Sequence, residues 1–136
     1  MRTITVPATE EDPSAVIEFV QEELEQYDCS SKAMFQIEVA IEEIIVNIAS
    51  YAGLTDDDGV EVRCEVLDDP LRVVLQFLDG GVPFDPLAKG DPDTTADATL
   101  EREGGLGIFM VKKMMDGVSY AYEGGKNTLT IQKNLQ

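Results

Sequence analysis

Glu43 and Asn47 lie one helical turn apart inside an otherwise apolar stretch, KAMFQIEVAIEEIIVNIASYA, spanning residues 32–52. A carboxylate can take a proton from an attacking hydroxyl, and a neutral amide oxygen can ligate a hard cation. At helical spacing, Ile37, Ile41, Ile44, Ile48 and Tyr51 form a core stripe, and Phe35, Val39 and Val46 form a second apolar flank. Between them runs a polar strip of Gln36, Glu43, Asn47 and Ser50, while Glu38 and Glu42 point to another side, expected to be solvent. On this helix alone, a partly solvated face or a structural Glu–Asn hydrogen bond accounts for the strip more readily than a cleft does.

Two glycine motifs follow. FLDGGVPFDPL ends an apolar run at Asp79 and places Gly80 and Gly81 directly after it. That suits a tight turn, and equally a backbone that must come close to a ligand. Further on, EREGGLGIFMVKKMMDG puts Gly104, Gly105 and Gly107 before an apolar helical run. No GK[ST] completes a P-loop there, and no GxGxxG follows a strand, so both common nucleotide fingerprints are excluded. A helix start preceded by glycines can still bind an anion through its free N–H groups, or can be a flexible entry and nothing more. The acidic run TDDDG at 55–59 fails as a calcium loop. With Gly59 at the sixth position, Leu54 would have to be the first ligand.

The elements that must position these residues alternate between helix and strand. RTITVP reads as a first strand, with Asp12 as N-cap and Pro13 as first residue of a helix whose inner face carries Val16, Phe19, Val20 and Leu24. A second helix is expected over about 31–52, and a third over 108–115. GVEVRCEVLDD and LRVVLQFLD read as adjacent strands joined at Asp68-Asp69-Pro70. VSYAYEGGKNTLTIQKNL reads as a hairpin turning at 123–126. The expected fold is an α/β (α+β) two-layer sandwich, with a mixed, mostly antiparallel sheet and helices on one face. The segment 86–103 is too long and too rich in Pro, Asp, Thr and Ala for a routine connection, and suits a lid.

Composition narrows the chemistry. The 136 residues make one domain. A net charge of −17 argues against free nucleic-acid binding and against anionic membrane surfaces. A phosphorylated ligand would need a divalent cation and backbone N–H groups to neutralise it. There is no histidine, which excludes imidazole metal sites, Ser–His and Cys–His pairs, and a phosphohistidine relay within this chain. Cys29 and Cys64 form no CxxC and read as reduced residues of a cytoplasmic protein. The N-terminal residues show no signal peptide, and no apolar run reaches membrane-spanning length.

Taken in order, Glu43-x-x-x-Asn47 on a helix, Asp79-x-Gly81 with Phe84-Asp85-Pro86, and Gly104-Gly105-Leu106-Gly107 opening a helix resemble the histidine-kinase-like ATPase family (GHKL, or Bergerat fold). The closer resemblance is to its bacterial anti-sigma-factor serine/threonine protein kinase branch, and it covers nearly the whole chain. It implies ATP held between helices beneath a lid of about 86–107. Asp79 would accept a hydrogen bond from the adenine amino group, Gly81 would allow close approach of the base, and Thr128 would support the contact through water. Asn47 would ligate the Mg²⁺ that bridges the phosphates. Gly105, Leu106 and Gly107 would offer backbone N–H groups to them, and Glu43 would be the general base. The family implies an antagonist protein as phosphoacceptor, a sigma factor as a sequestered partner, and a homodimer. The rival functions are a nucleotide-gated protein-binding module without phosphotransfer, and an ATPase whose hydrolysis drives lid closure in an assembly.

Overall fold

The computed structural model describes residues 1–51, 53–55, 58–87 and 105–136. Most of the lid expected at 86–107, and the middle of the acidic run at 55–59, lie outside the described residues. The chain runs β1 (Arg2–Pro7), α1 (Ser14–Leu24), α2 (Ser31–Tyr51), β2 (Gly59–Leu67), β3 (Arg72–Asp79), α3 (Gly105–Met114), β4 (Gly117–Glu123) and β5 (Lys126–Asn134). The strands form one sheet in the order β1-β2-β3-β5-β4. All four pairings are antiparallel, so the mostly antiparallel sheet expected from the sequence is antiparallel throughout the described residues.

Alternation explains the layering. Val60, Val62 and Cys64 on β2, Val73, Leu75 and Phe77 on β3, and Leu129 and Ile131 on β5 are buried, while the residues between them are more exposed. This apolar face meets Val16, Phe19, Val20 and Leu24 of α1 and Ile37, Ile41 and Ile44 of α2 in a single core. The three α2 isoleucines are completely buried, each contributing roughly 1.5–3 kcal/mol. The opposite face carries polar groups, with Gln76 Nε2 donating to Thr130 Oγ1 at 3.3 Å and Arg63 paired with Glu61.

Helix ends differ from the sequence expectation in two places. α1 begins at Ser14, with Pro13 as its flanking residue, and Asp12 acts from one position further out. Its Oδ1 accepts the Ser14 N–H at 2.9 Å, and the two hydrogen bonds from Ser14 hold the Asp12 carboxyl below the usual range. α3 begins at Gly105, three residues before the expected start, so Gly105 and Gly107 belong to its first turn. Glycine is a poor helix former, and packing against α2 outweighs that propensity here. α2 starts as expected, with the Ser30 hydroxyl accepting the Ala33 N–H at 3.1 Å.

The flanks of α2 also separate differently. Phe35 is 62% exposed and Val46 38% exposed, so that apolar flank stands away from the core. Glu38, expected in solvent, is half-buried and accepts from Gln21 Nε2 at 2.6 Å, tying α2 to α1. The β4–β5 hairpin turns at Gly124-Gly125, whose φ values of 59° and 77° suit the two-residue turn that strand twist favours.

Both cysteines are free thiols. Cys64 is completely buried, and that burial, with the Glu23 charge next, pushes its thiol up to about 12. Cys29 is half-buried and raised as well, first by burial and then by Asp28. Alkylation of the native protein at pH 8 is therefore expected to modify Cys29 slowly and to spare Cys64 until unfolding. Mass analysis of the peptides would show it, and equal labelling of both would contradict the packing around β2.

Candidate active site

The cleft lies between α2 and the sheet end that carries Asp79. Ile44, Asn47 and Ile48 of α2 line it, opposite Phe77, Asp79, Asn127, Leu129 and Tyr120 of the sheet, with Phe84 and Pro86 at its edge. Its enclosed part is small, about 30 Å³, and the space becomes about 380 Å³ only when the open solvent at its mouth is counted. Its walls are mainly apolar and aromatic, with Asp79, Asn47 and Asn127 as the polar groups among them. Such a lining suits a flat apolar ring system carrying a few polar substituents.

Asp79 reaches the cleft because it continues the phase of Val73, Leu75 and Phe77, so its side chain emerges on the core face at the end of β3. It is only 5% exposed. Its Oδ1 accepts the Gly81 N–H at 2.9 Å and Asn127 Nδ2 at 3.0 Å. Both bonds fall on one oxygen, which among the described residues leaves Oδ2 as an acceptor for a ligand donor. Gly81 is buried in the turn that this carboxylate closes.

Thr128 stands elsewhere. In the β3–β5 register it faces Leu78, whereas Asn127 faces Asp79. Successive strand residues point to opposite faces, so Thr128 is on the polar face of the sheet and Asn127 is in the cleft. The support expected for Asp79 from Thr128 is thus corrected to its neighbour. Asn127 Nδ2 donates to Asp79 Oδ1, to the Val82 carbonyl at 2.9 Å and to the Gly81 carbonyl at 3.4 Å. Its Oδ1 accepts the Phe84 N–H at 3.0 Å and the Tyr120 hydroxyl. One buried amide therefore fastens the loop after β3 to β5 and orients the carboxylate. Burial first, then the charges of Asp85 and Asp79, raise the Tyr120 phenol, keeping it a donor. The sequence held the signal: in KNTLTIQKN, Asn127 shares its phase with Leu129 and Ile131, and Thr128 does not.

On α2, the polar strip divides. Asn47 lines the cleft, Glu43 lies against Gly107 in the first turn of α3, and Ser50 is exposed. Gln36 is half-buried, and its Oε1 has no partner among the described residues. Glu43 and Asn47 thus point toward α3 and the cleft, not toward open solvent. Gly105 and Gly107 open α3, where the first four N–H groups of a helix lack intrahelical acceptors. Lys112 and Lys113 are exposed, with Lys113 Nζ 5.3 Å from the centre of the Phe109 ring. Gly104 and Arg102 lie outside the described residues.

The family model for the histidine kinase-like ATPase domain matches residues 6–133. The chain belongs to the histidine kinase-like ATPase family. Among relatives of this ATPase domain, the serine-protein kinase RsbW of Listeria monocytogenes (serotype 4a, strain HCC23) is 32% identical over 100 residues, covering 71% of this chain and 63% of the relative. RsbW of Staphylococcus aureus (strain MSSA476) is 27% identical over 104 residues, covering 72% and 64%. The matches thus span less than two thirds of those relatives' length. The structure of the RsbU and RsbW domains of Rv1364c from Mycobacterium tuberculosis superposes with a TM-score of 0.68 at 17% identity, over 99% of this chain and 33% of that one. The Acinetobacter baumannii histidine kinase AdeS superposes with a TM-score of 0.51 at 15% identity, over 100% of this chain and 68% of that one. Both share the fold of this histidine kinase-like ATPase. No helix among the described residues is long and apolar enough to cross a membrane.

Proposed function

We propose that this chain is an ATP- and Mg²⁺-dependent protein serine/threonine kinase of the anti-sigma type, which phosphorylates a hydroxyl on an antagonist protein and regulates transcription by partner switching. The observation that carries the reading is the placement of the buried Asp79 carboxylate and Asn47 in one apolar cleft, with Glu43 one helical turn from Asn47. The kinase names of the relatives support it. Asp79 Oδ2 would receive the adenine amino group, with Gly81 giving the base room, and Ile44, Ile48 and Phe77 would cover its faces.

Asn47 supplies a neutral oxygen suited to a Mg²⁺ held chiefly by phosphates and water. Bound there, the ion would neutralise the triphosphate, which a chain of net charge −17 has few side chains to do. The N–H groups of Gly105, Leu106 and Gly107 would meet the phosphates at the start of α3. Glu43 would take the proton of the attacking hydroxyl, a task for a carboxylate in a chain without histidine. A cytoplasmic homodimer that also sequesters a sigma factor completes the proposal.

The test is incubation with Mg-ATP and antagonist-type proteins encoded in the same genome, reading phosphoserine and phosphothreonine by mass. Transfer to one acceptor supports the kinase. Mg-ATP binding with no transfer to any of them would make the chain a nucleotide-gated binding module instead. Asp79→Asn is expected to weaken ATP binding by ~10-fold or more, since an amide N–H₂ would then face the adenine amino donor. Competition of ATP against GTP by calorimetry measures it, and unchanged preference would remove Asp79 from base recognition.

A further inference from the structure

Glycine enters a helix for one of two reasons: a left-handed backbone, or space that a Cβ would fill. Gly107 has an ordinary helical backbone; among the described glycines the positive φ values belong to Gly53, Gly124 and Gly125. The second reason applies with force. A Cβ at 107 would stand 2.1 Å from Glu43 Oε2 and 2.9 Å from Glu43 Cδ. By contrast, Gly53, Gly80, Gly124 and Gly125 have nothing within 4 Å of the equivalent point. The end of the Glu43 side chain therefore occupies the volume that any other amino acid at 107 would need.

We propose that Gly107 is a positioning residue for Glu43: the missing Cβ is the seat of the carboxylate, and it fixes where that carboxylate points. The proposal rests on the reading of Glu43 as general base and adds a residue on which its geometry depends. The clash is with the far end of a flexible side chain, not with backbone. An alanine at 107 is thus accommodated by turning Glu43 away, and alanine is the better helix former. The fold survives the change, and the carboxylate's placement does not. This contact is separate from the N–H of residue 107, which alanine retains for a phosphate.

Gly107→Ala is expected to keep its circular dichroism and melting temperature and to lose ~10–10²-fold in kcat for transfer to the antagonist protein at saturating Mg-ATP, as misplacement of about 1 Å does. Glu43→Asp withdraws the carboxylate by one methylene, so Gly107→Ala made in that background is expected to cost little further. An equal loss from Gly107→Ala in both backgrounds would overturn the proposal, as would a loss of Mg-ATP affinity that accounts for the whole defect. A readout independent of turnover is the side-chain carboxyl ¹³C resonance of Glu43, which should shift in Gly107→Ala protein without nucleotide. An unmoved resonance overturns the positioning claim alone. Full transfer by Glu43→Gln instead overturns the base reading, whatever the resonance does.

Discussion

Glu43→Gln is expected to bind Mg-ATP nearly as well as the parent and to transfer phosphate ~10²–10⁴-fold more slowly, the usual cost of losing a general base. The change preserves shape and removes the capacity to accept a proton. Glu43 is half-buried on a helix whose neighbouring residues Ile41, Ile44 and Ile45 are fixed in the core, so the backbone should stay in place. It does not line the cleft that holds Asp79 and Asn47, and nucleotide affinity should therefore change by only a few-fold. Single-turnover transfer of labelled phosphate, alongside calorimetric titration with Mg-ATP, separates the two effects. Wild-type transfer by the glutamine variant would leave Glu43 a packing partner of α3 and nothing more. A parallel collapse of binding and transfer would assign it to the phosphates instead.

That Asn47 faces the cleft and Glu43 faces α3 was legible because a polar strip inside a strongly periodic apolar helix is conspicuous. The strand phases were legible for the same reason: Asp79 follows Val73, Leu75 and Phe77 at a period of two, and its burial matches. The start of α3 was not. Gly105 and Gly107 argue locally against helix, and only the close approach to Glu43, a contact 64 positions away in sequence for Gly107, makes glycine the fitting residue there. The exposure of Phe35 was equally hidden, since the helical pattern gives a face its polarity but not its neighbour. In the cleft, Thr128 was implied by the family resemblance, whereas its phase places it with Gln132 and against Leu129 and Ile131. Strand period outranked the resemblance at that position.

That distinction leads to the second large effect. Asn127→Leu is expected to destabilise the protein by about 2–4 kcal/mol and lower its Tm by about 10 °C, with nucleotide affinity falling at least ~10-fold. The side chain is 6% exposed and makes five polar contacts, with Asp79, Gly81, Val82, Phe84 and Tyr120. Leucine matches its branched shape but would remove the amide's hydrogen bonds to Asp79, the Val82 carbonyl and the Phe84 N–H, and each lost bond costs ~0.5–1.5 kcal/mol, more where the acceptor is charged. The loop 80–84 can reach water in part, which holds the total below the sum. Asp79 would keep the Gly81 N–H and lose the amide that aims it, so base recognition should suffer with stability. Thr128→Val is the matched control, one residue along the same strand. It lies on the other face, and its effect on nucleotide binding should be negligible, with stability within about 0.5 kcal/mol. Thermal melts and ATP titrations of the two variants decide the register of β5 at the cleft, because a slip of one residue exchanges every side chain between faces. If Thr128→Val abolished binding while Asn127→Leu were silent, the amide could not be what fastens the loop to Asp79.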